Sequence, residues 1–325
     1  MRVIVLIGFC YDISDLQPLP GILIDLFKVY SHCKKNVGWD KIIVITDIYK
    51  KSTPLFVTAV FEGIVSVNIT TFLEEIKDFH LLYINEHEMF KEIRKVVTNA
   101  DQVLAYYSGH SKHNFILFPQ INYNATFGDY EIKNYVTIES FRDLFINYSK
   151  YNSQILFIMD CCNGVGLKLP FQLVKGVAGG RGGGSGEGRG SSGEGRVKSF
   201  DNLYYYRLTD FPQHKYTRNN ILCLSSSMHD ERAVASRSGS IFTRILFSDV
   251  LNEKNNLSDI LKHFSGENGE NSNKEIKDSG KERIHNQTTT IHASHPNLKD
   301  FFPWFLGKKL LVRFDDHFNL IRILR

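Results

Sequence analysis

The sequence predicts an α/β fold with a mostly parallel central sheet flanked by helices. Three observations predict it. Val3-Ile4-Val5-Leu6-Ile7, Ile42-Ile43-Val44-Ile45 and the run Gln154 to Met159 are short and apolar without alternation, the pattern of strands covered on both faces. Between such runs lie segments whose apolar residues recur at helical spacing. Polar or glycine-bearing clusters follow the strands, as the loops at the carboxyl ends of parallel strands do.

In chain order, Val3 to Ile7 is the first strand. Pro18 and Pro20 bracket a turn, and Gly21 to Cys33 has apolar residues at 22, 23, 26, 27, 29 and 30, one face of a helix. Ile42 to Ile45 is the second strand, ending at Thr46-Asp47. Residues 50–84 hold two apolar runs, Leu55 to Phe61 and Gly63 to Val67, that read either as a hairpin or as an insertion of unassigned fold. Glu86 to Thr98 is an amphipathic helix with Met89, Ile93, Val96 and Val97 inward. Gln102 to Tyr107 is a third strand, ending at Ser108-Gly109-His110, and Phe115 to Phe118 is a fourth. Ile138 to Tyr148 is a helix, and the strand from Gln154 ends at Asp160-Cys161-Cys162.

From Lys175 to Lys198 the chain becomes Gly, Ser, Glu and Arg, and 11 of its 24 glycines fall there, so this stretch has no apolar surface to bury and reads as a flexible linker. It carries Lys175, Arg181, Arg189, Arg196 and Lys198. Beyond it, Asn220 to Ser225 is a strand and Ser240 to Leu251 a helix with Ile241, Ile245, Leu246 and Val250 inward. Residues 265–287 are polar and read as a disordered excursion; Leu310 to Arg313 and Leu320 to Leu324 read as short closing strands. The organisation is a large portion over 1–174, a linker over 175–198, and a small portion over 199–325 that completes the sheet.

Composition excludes several classes. Hydrophobic residues at 42% and charged residues at 23% describe a globular chain of 325 residues, not a fibrous or disordered one. A formal charge of +4 is too small to argue for nucleic acid or an anionic membrane. No apolar run approaches the ~18 residues a membrane-spanning helix needs. Val3 to Cys10 follows Arg2 like a signal peptide, but it is short and runs into Asp12 and Asp15, so it reads as a buried strand. Five cysteines, an odd number without C-x-x-C spacing, make neither a disulfide framework nor a zinc site, and a reducing, cytoplasmic compartment is expected. His285, His292 and His295 match no ligand spacing and read as part of a flexible polar tail. The Gly-rich stretch 176–195 lacks G-K-[ST] and is no phosphate loop.

The residues able to carry chemistry are His110 and Cys162, each just past a buried strand. A thiol and an imidazole from separate segments, brought together in space, are the parts of a cysteine nucleophile and its acid–base partner. Two backbone N–H groups, those of Cys162 and Ser111, are the candidates for stabilising an oxyanion. The alternative is an inert buried thiol and a satisfied core histidine. Cys161 competes as nucleophile, but neighbouring residues of a strand point to opposite faces, so only one of the pair can face His110. Cys10, Cys33 and Cys223 sit in apolar contexts and read as packing residues.

The local sequences sharpen this. Tyr106-Tyr107-Ser108-Gly109-His110 resembles the Y-S-G-H motif of metacaspases, and Asp160-Cys161-Cys162 resembles their D-x-C, whose third residue is the nucleophile. The histidine of caspases precedes its cysteine by about 50 residues, a separation similar to the one here. Leu6-Ile7-Gly8, Leu19-Pro20-Gly21 with Asp25, and Ile45-Thr46-Asp47 are similar to the family's opening strand, helix start and second strand end. Leu224-Ser225-Ser226 with Asp230-Glu231, Gly239-Ser240-Ile241-Phe242-Thr243, and Gln287 to Ile291 followed by Ser294-His295-Pro296 resemble its later motifs in order. The resemblance implies a caspase-like three-layer sandwich and a cysteine endopeptidase with a metacaspase- or paracaspase-like site.

It further implies that Asp25, Ser108 and Asp160 line the primary substrate pocket. Two carboxylates and a hydroxyl suit Arg or Lys, with Arg favoured by bidentate pairing. Arg232 and Arg237 lie where caspases carry the arginines that bind Asp, so an Asp-specific enzyme is the alternative specificity. Ser111 replaces the Gly that usually follows the histidine, and Asn163-Gly164 replaces the usual H-S-G after the nucleophile, features compatible with a non-catalytic homologue that binds an active relative. The acidic stretch through which many metacaspases respond to calcium is here Thr137-Ile138-Glu139, with only Asp129 and Glu131 nearby, so no metal or other cofactor is expected. The expected partners are protein or peptide substrates, without nucleic acid or membrane. Control by an N-terminal adaptor fold is not expected of this chain, and the basic linker is expected to be cut by the enzyme's own pocket.

Overall fold

Val3 to Ile7 are fully buried because a strand lies on each side and helices cover both faces. In the computed structural model, residues 1–11, 16–48, 56–59, 65–112, 114–119, 135–162, 166–175, 204–209, 218–227, 231, 233, 235–236, 239–247, 257–264, 288–295, 298, 302–306, 311–314 and 320–324 are described. The central sheet contains β1 (Arg2–Gly8), β2 (Lys41–Thr46), β3 (His80–Leu82), β4 (Gln102–Ser108), β5 (Gln154–Asp160), β6 (Phe171–Lys175), β7 (Tyr204–Leu208), β8 (Asn220–Ser225) and β9 (Thr290–Ala293). Their order across the sheet is β7-β6-β9-β8-β5-β4-β1-β2-β3. Pairing is parallel from β8 through to β3, and antiparallel where β9, β6 and β7 extend the other edge.

The strand side chains alternate between two cores. Ile4, Leu6, Tyr106, Leu156, Ile158, Leu222 and Leu224 pack on one face with α1 (Ile22–His32), α4 (Ile241–Ile245) and α5 (Leu257–Phe264). Val3, Val5, Ile7, Ala105, Tyr107, Phe157 and Cys223 pack on the other with α2 (Glu86–Val97) and α3 (Ile138–Tyr148). Full burial of a large aliphatic or aromatic side chain is worth ~1.5–3 kcal/mol, so the near-continuous apolar strands are the main source of stability. Asn85 and Thr137 cap α2 and α3 by accepting from the N–H groups of Glu88 and Ser140, each cap worth about 1 kcal/mol.

The three-layer, mostly parallel architecture is the one the sequence predicts. Several elements differ. Phe56–Ala59 pairs antiparallel with Val65–Asn68, a short helix follows at Ile69–Glu75, and His80–Leu82 is the edge strand β3, so the hairpin reading holds for only the first part of that region. Phe115–Leu117 is not in the central sheet. It pairs with Ser111–Lys112 and Tyr135–Thr137 in a separate three-stranded sheet, because a chain leaving β4 at Gly109 turns back at once. Strands β6, β7 and β9 carry no strong periodic signal and are not expected; helix α5 is not expected either, although Leu257, Ile260, Leu261 and Phe264 recur at helical spacing. Met89, Ile93 and Val97 face inward as expected and Val96 is half-buried; Leu246, just past α4, is buried as expected, whereas α4 buries Phe242 and Thr243 and leaves Ile241 and Ile245 half-buried, and Val250 lies outside the described residues. The strands Leu311–Phe314 and Leu320–Leu324 pair with each other in a ribbon apart from the central sheet. His292 is buried in β9, which corrects its assignment to a flexible tail. Burial holds its imidazole down to about 4, and its Nδ1 makes no hydrogen bond. The linker after Lys175 and the segment 265–287 fall outside the described residues.

Candidate active site

The register of β4 against β5 places the chemistry. Ser108 and Asp160 are partners on the last shared rung, so His110 and Cys162 each lie two residues beyond the carboxyl end of adjacent parallel strands. Both ends are tied together: the Gly109 N–H donates to the Asp160 carbonyl at 3.4 Å, and the Ser111 hydroxyl donates to the Cys162 carbonyl. The Ser226 and Ser227 hydroxyls donate to the Cys161 carbonyl at 3.2 and 2.9 Å, and the Ser226 N–H to the Met159 carbonyl at 3.0 Å. The loop that carries the cysteines is thereby pinned from β4 on one side and from the end of β8 on the other.

The two cysteines have different surroundings. Cys161 is buried, and burial pushes its thiol far above the usual range. Cys162 is half-buried. All five cysteines are reduced. A nucleophilic thiol must reach the thiolate and must be reached by substrate. Of the adjacent pair, Cys162 meets the second requirement and Cys161 meets neither.

The imidazole of His110 is half-buried, and burial pushes it below the usual histidine range while a hydrogen bond to the Gln17 carbonyl opposes that shift. The Nε2–O distance is 2.8 Å. A carbonyl only accepts, so Nε2 carries the hydrogen and Nδ1 of the neutral ring carries the lone pair. That fixes one tautomer and leaves Nδ1 as the base. Gln17 precedes Pro18 in the loop between β1 and α1, and the Leu19 N–H donates to the Cys10 carbonyl at 2.8 Å across that loop.

Asp25, Ser108 and Asp160 come together on the α1 side of the sheet, all three buried. Asp25 stands in the first turn of α1, and both its oxygens accept from the Ser240 N–H at 3.0 Å. Gly239 sits at φ +99°, where a Cβ would stand 2.5 Å from Asp25 Oδ1, so only glycine lets the 239–240 backbone close over that carboxylate. Asp160 Oδ2 accepts from the Thr243 hydroxyl at 2.5 Å, and Thr243 Oγ1 lies 2.8 Å from the Tyr106 hydroxyl. With its one hydrogen given to Asp160 Oδ2, Thr243 must accept from Tyr106. Asp160 Oδ1 is buried and makes no hydrogen bond. Burial raises both carboxyl groups above the usual range. For Asp25 the Asp160 charge adds to it, whereas for Asp160 the neighbouring hydroxyls of Ser240, Thr243 and Ser226 oppose it.

Comparison with known proteins decides the family. The family model for the caspase domain, a peptidase domain, matches residues 56–296. The chain belongs to the caspase-domain family. The matched span leaves out β1, α1 and β2, yet β1 is hydrogen-bonded between β2 and β4 in the same sheet. Among solved structures, the chain is similar to caspase-1 from Spodoptera frugiperda, with 13% identity over 91% of this chain and 86% of that one and a TM-score of 0.44. No curated protein matches it.

Sequence reasoning assigned no role to Gln17, whose contribution is a backbone carbonyl and leaves no signature in residue type. It likewise missed Ser226, Ser227, Ser240 and Thr243, although the Leu224-Ser225-Ser226 and Gly239 to Thr243 motifs were visible. Arg232, Arg237, Asn163, Asp129, Glu131 and His285 lie outside the described residues. Among the described residues no group of three or more His, Cys, Asp or Glu is arranged to hold a metal ion, and no helix is long and apolar enough to cross a membrane.

Proposed function

We propose that this caspase-domain protein is a cysteine endopeptidase of the metacaspase type that cuts after Arg or Lys. The observation that carries the reading is the pair of buried carboxylates, Asp25 and Asp160, one of whose oxygens makes no hydrogen bond, beside the strand rung that His110 and Cys162 follow. Buried charge without a partner is unfavourable, and a guanidinium or ammonium is the group that would relieve it. In the reaction His110 Nδ1 takes the proton of the Cys162 thiol, the thiolate attacks the scissile carbonyl and the C–N bond breaks. His110 gives its proton to the departing amine and then draws one from the water that hydrolyses the thioester. The N–H groups of Cys162 and Ser111 are the proposed oxyanion donors.

The linker is the proposed first substrate. Strand β6 ends at Lys175 and pairs along its whole length with β7, so the basic segment joins the two strands of a hairpin, and β6 is also bonded to β9. Cleavage after Arg181, Arg189 or Arg196 leaves both fragments in one sheet. One experiment tests the reading. Native protein should be labelled at Cys162 by an electrophilic peptide ending in Arg and should split in the linker on storage; Cys162→Ala should do neither, while Cys161→Ala should do both. Efficient labelling by a peptide ending in Asp but not Arg would make it Asp-specific. Absence of labelling by either would make it a non-catalytic homologue.

A further inference from the structure

The peptide unit that carries His110 is held on both sides by tyrosine hydroxyls. The His110 N–H donates to the Tyr11 hydroxyl at 2.8 Å, and the Tyr107 hydroxyl donates to the His110 carbonyl at 2.7 Å. Tyr11 in turn donates to the Leu117 carbonyl at 2.7 Å, and the two hydroxyls lie 3.4 Å apart. Both tyrosines are fully buried, at 0% exposure. The Tyr11 ring also packs on the imidazole, with centroids 4.6 Å apart and a tilt of 46°. Gly109 fits between them because a Cβ there would stand 2.7 Å from each tyrosine oxygen.

Tyr11 is not placed there by ordinary backbone preference. Its φ is +59°, a left-handed conformation unfavourable for a bulky residue, so something must hold it. Asp47, just past β2, does so: its two oxygens accept from the Cys10 N–H at 2.8 Å and the Tyr11 N–H at 2.7 Å, both buried. Hydrogen bonds to a carboxylate are among the stronger ones in proteins. The same segment supplies Gln17, whose carbonyl fixes the far ring nitrogen. Tyr11 and Gln17 thus set the N–H side of the His110 peptide, the ring face and the tautomer.

We infer that Tyr11, locked by Asp47, is a positioning residue that holds His110 in register with Cys162. This rests on the dyad reading above. The mechanism is geometric. An imidazole free to swing a fraction of an ångström loses its pairing with the thiol, and small misplacements lower rate without altering substrate binding.

The test uses full-length protein and iodoacetamide, which reports on the thiolate at Cys162 without needing a substrate. Alkylation of Cys162, followed by mass spectrometry from pH 5 to 9, should be fast at neutral pH in the native chain. It should fall to ordinary thiol behaviour, with half-reaction near about pH 8.5, in His110→Ala. Tyr11→Phe keeps the ring and removes the hydroxyl. It should shift the alkylation profile toward that of His110→Ala and lower kcat on an Arg-ending fluorogenic peptide by about tenfold, with KM unchanged. A purely structural tyrosine would lower melting temperature and leave the profile of the folded fraction as it was. Tyr107→Phe, which releases the other side of the same peptide, decides the matter if Tyr11→Phe does not fold. A native profile identical to that of His110→Ala would remove the dyad reading. A His110-dependent profile unchanged by either tyrosine substitution would overturn this inference while leaving the dyad intact.

Discussion

Two polar clusters flank the carboxyl edge of the sheet, one on each face, and they are built on opposite principles. On the α1 face, Asp25 and Asp160 are buried carboxyl groups with raised pKa and an oxygen of Asp160 left without a hydrogen bond. On the α2 face, Tyr11 and Tyr107 are neutral, and their hydroxyls are spent on the backbone around His110. The first cluster keeps one carboxylate oxygen unsatisfied, which under the proposed function would meet a cation arriving with substrate. The second is satisfied and suits rigidity. Adjacent residues make the division: Tyr106 meets Thr243 on one face while Tyr107 meets His110 on the other, because successive side chains of a strand point to opposite sides. The unpaired carboxylate oxygen and the tyrosine-held His110 peptide are thus kept apart by the thickness of one strand.

Asp160→Asn tests this division most severely. It should lower kcat/KM for Arg-ending peptides by the cost of a buried charged partner, about 2–5 kcal/mol, measured by steady-state kinetics. The same change should stabilise the free protein. A carboxyl group whose native pKa is raised above its unfolded value of about 3.9 binds more protons folded than unfolded, so stability falls as pH rises through that window. The variant lacks that loss. Its melting temperature should exceed that of the native chain at pH 8, and the gap should close as pH is lowered toward 4. A variant destabilised at every pH would show that Asp160 is structural. Thr243→Val comes next. It removes the donor to Asp160 Oδ2 but leaves the carboxylate, so kcat/KM for Arg peptides should fall about tenfold to hundredfold, in line with ~1.5–3 kcal/mol for a hydrogen bond to a charge. Iodoacetamide reactivity of Cys162 should not change, because the effect stays on the α1 face. The smallest effect is expected from calcium: rates in excess chelator and in millimolar calcium should match, and a saturable stimulation would direct attention to Asp129 and Glu131.

Local pattern was enough to read the parallel half of the sheet except its edge strand β3. Val3 to Ile7, Ile42 to Ile45 and Gln154 to Met159 are apolar on both faces, and only a doubly covered strand accepts that pattern. Strands β4 and β5 carry Ser108 and Asp160 at their ends and His110 and Cys162 just beyond, so those residues were visible as short motifs. The antiparallel edge was not visible. Strands β6, β7 and β9 are four or five residues long, and β6 and β7 flank a stretch dominated by glycine, where no periodicity accumulates. Their assignment needs partners far away in sequence. Nor could composition show that Ser240 and Thr243 close over carboxylates from α1 and β5, that a carbonyl at Gln17 selects the tautomer of His110, or that Asp47 holds Tyr11 at positive φ. The sequence alone determined which side chains can react, because residue type sets nucleophile, base and charge. Tertiary structure decided which of them are held in place and which are left unpaired, because hydrogen bonds to backbone atoms and the burial of a charge depend on neighbours the chain brings together only when folded.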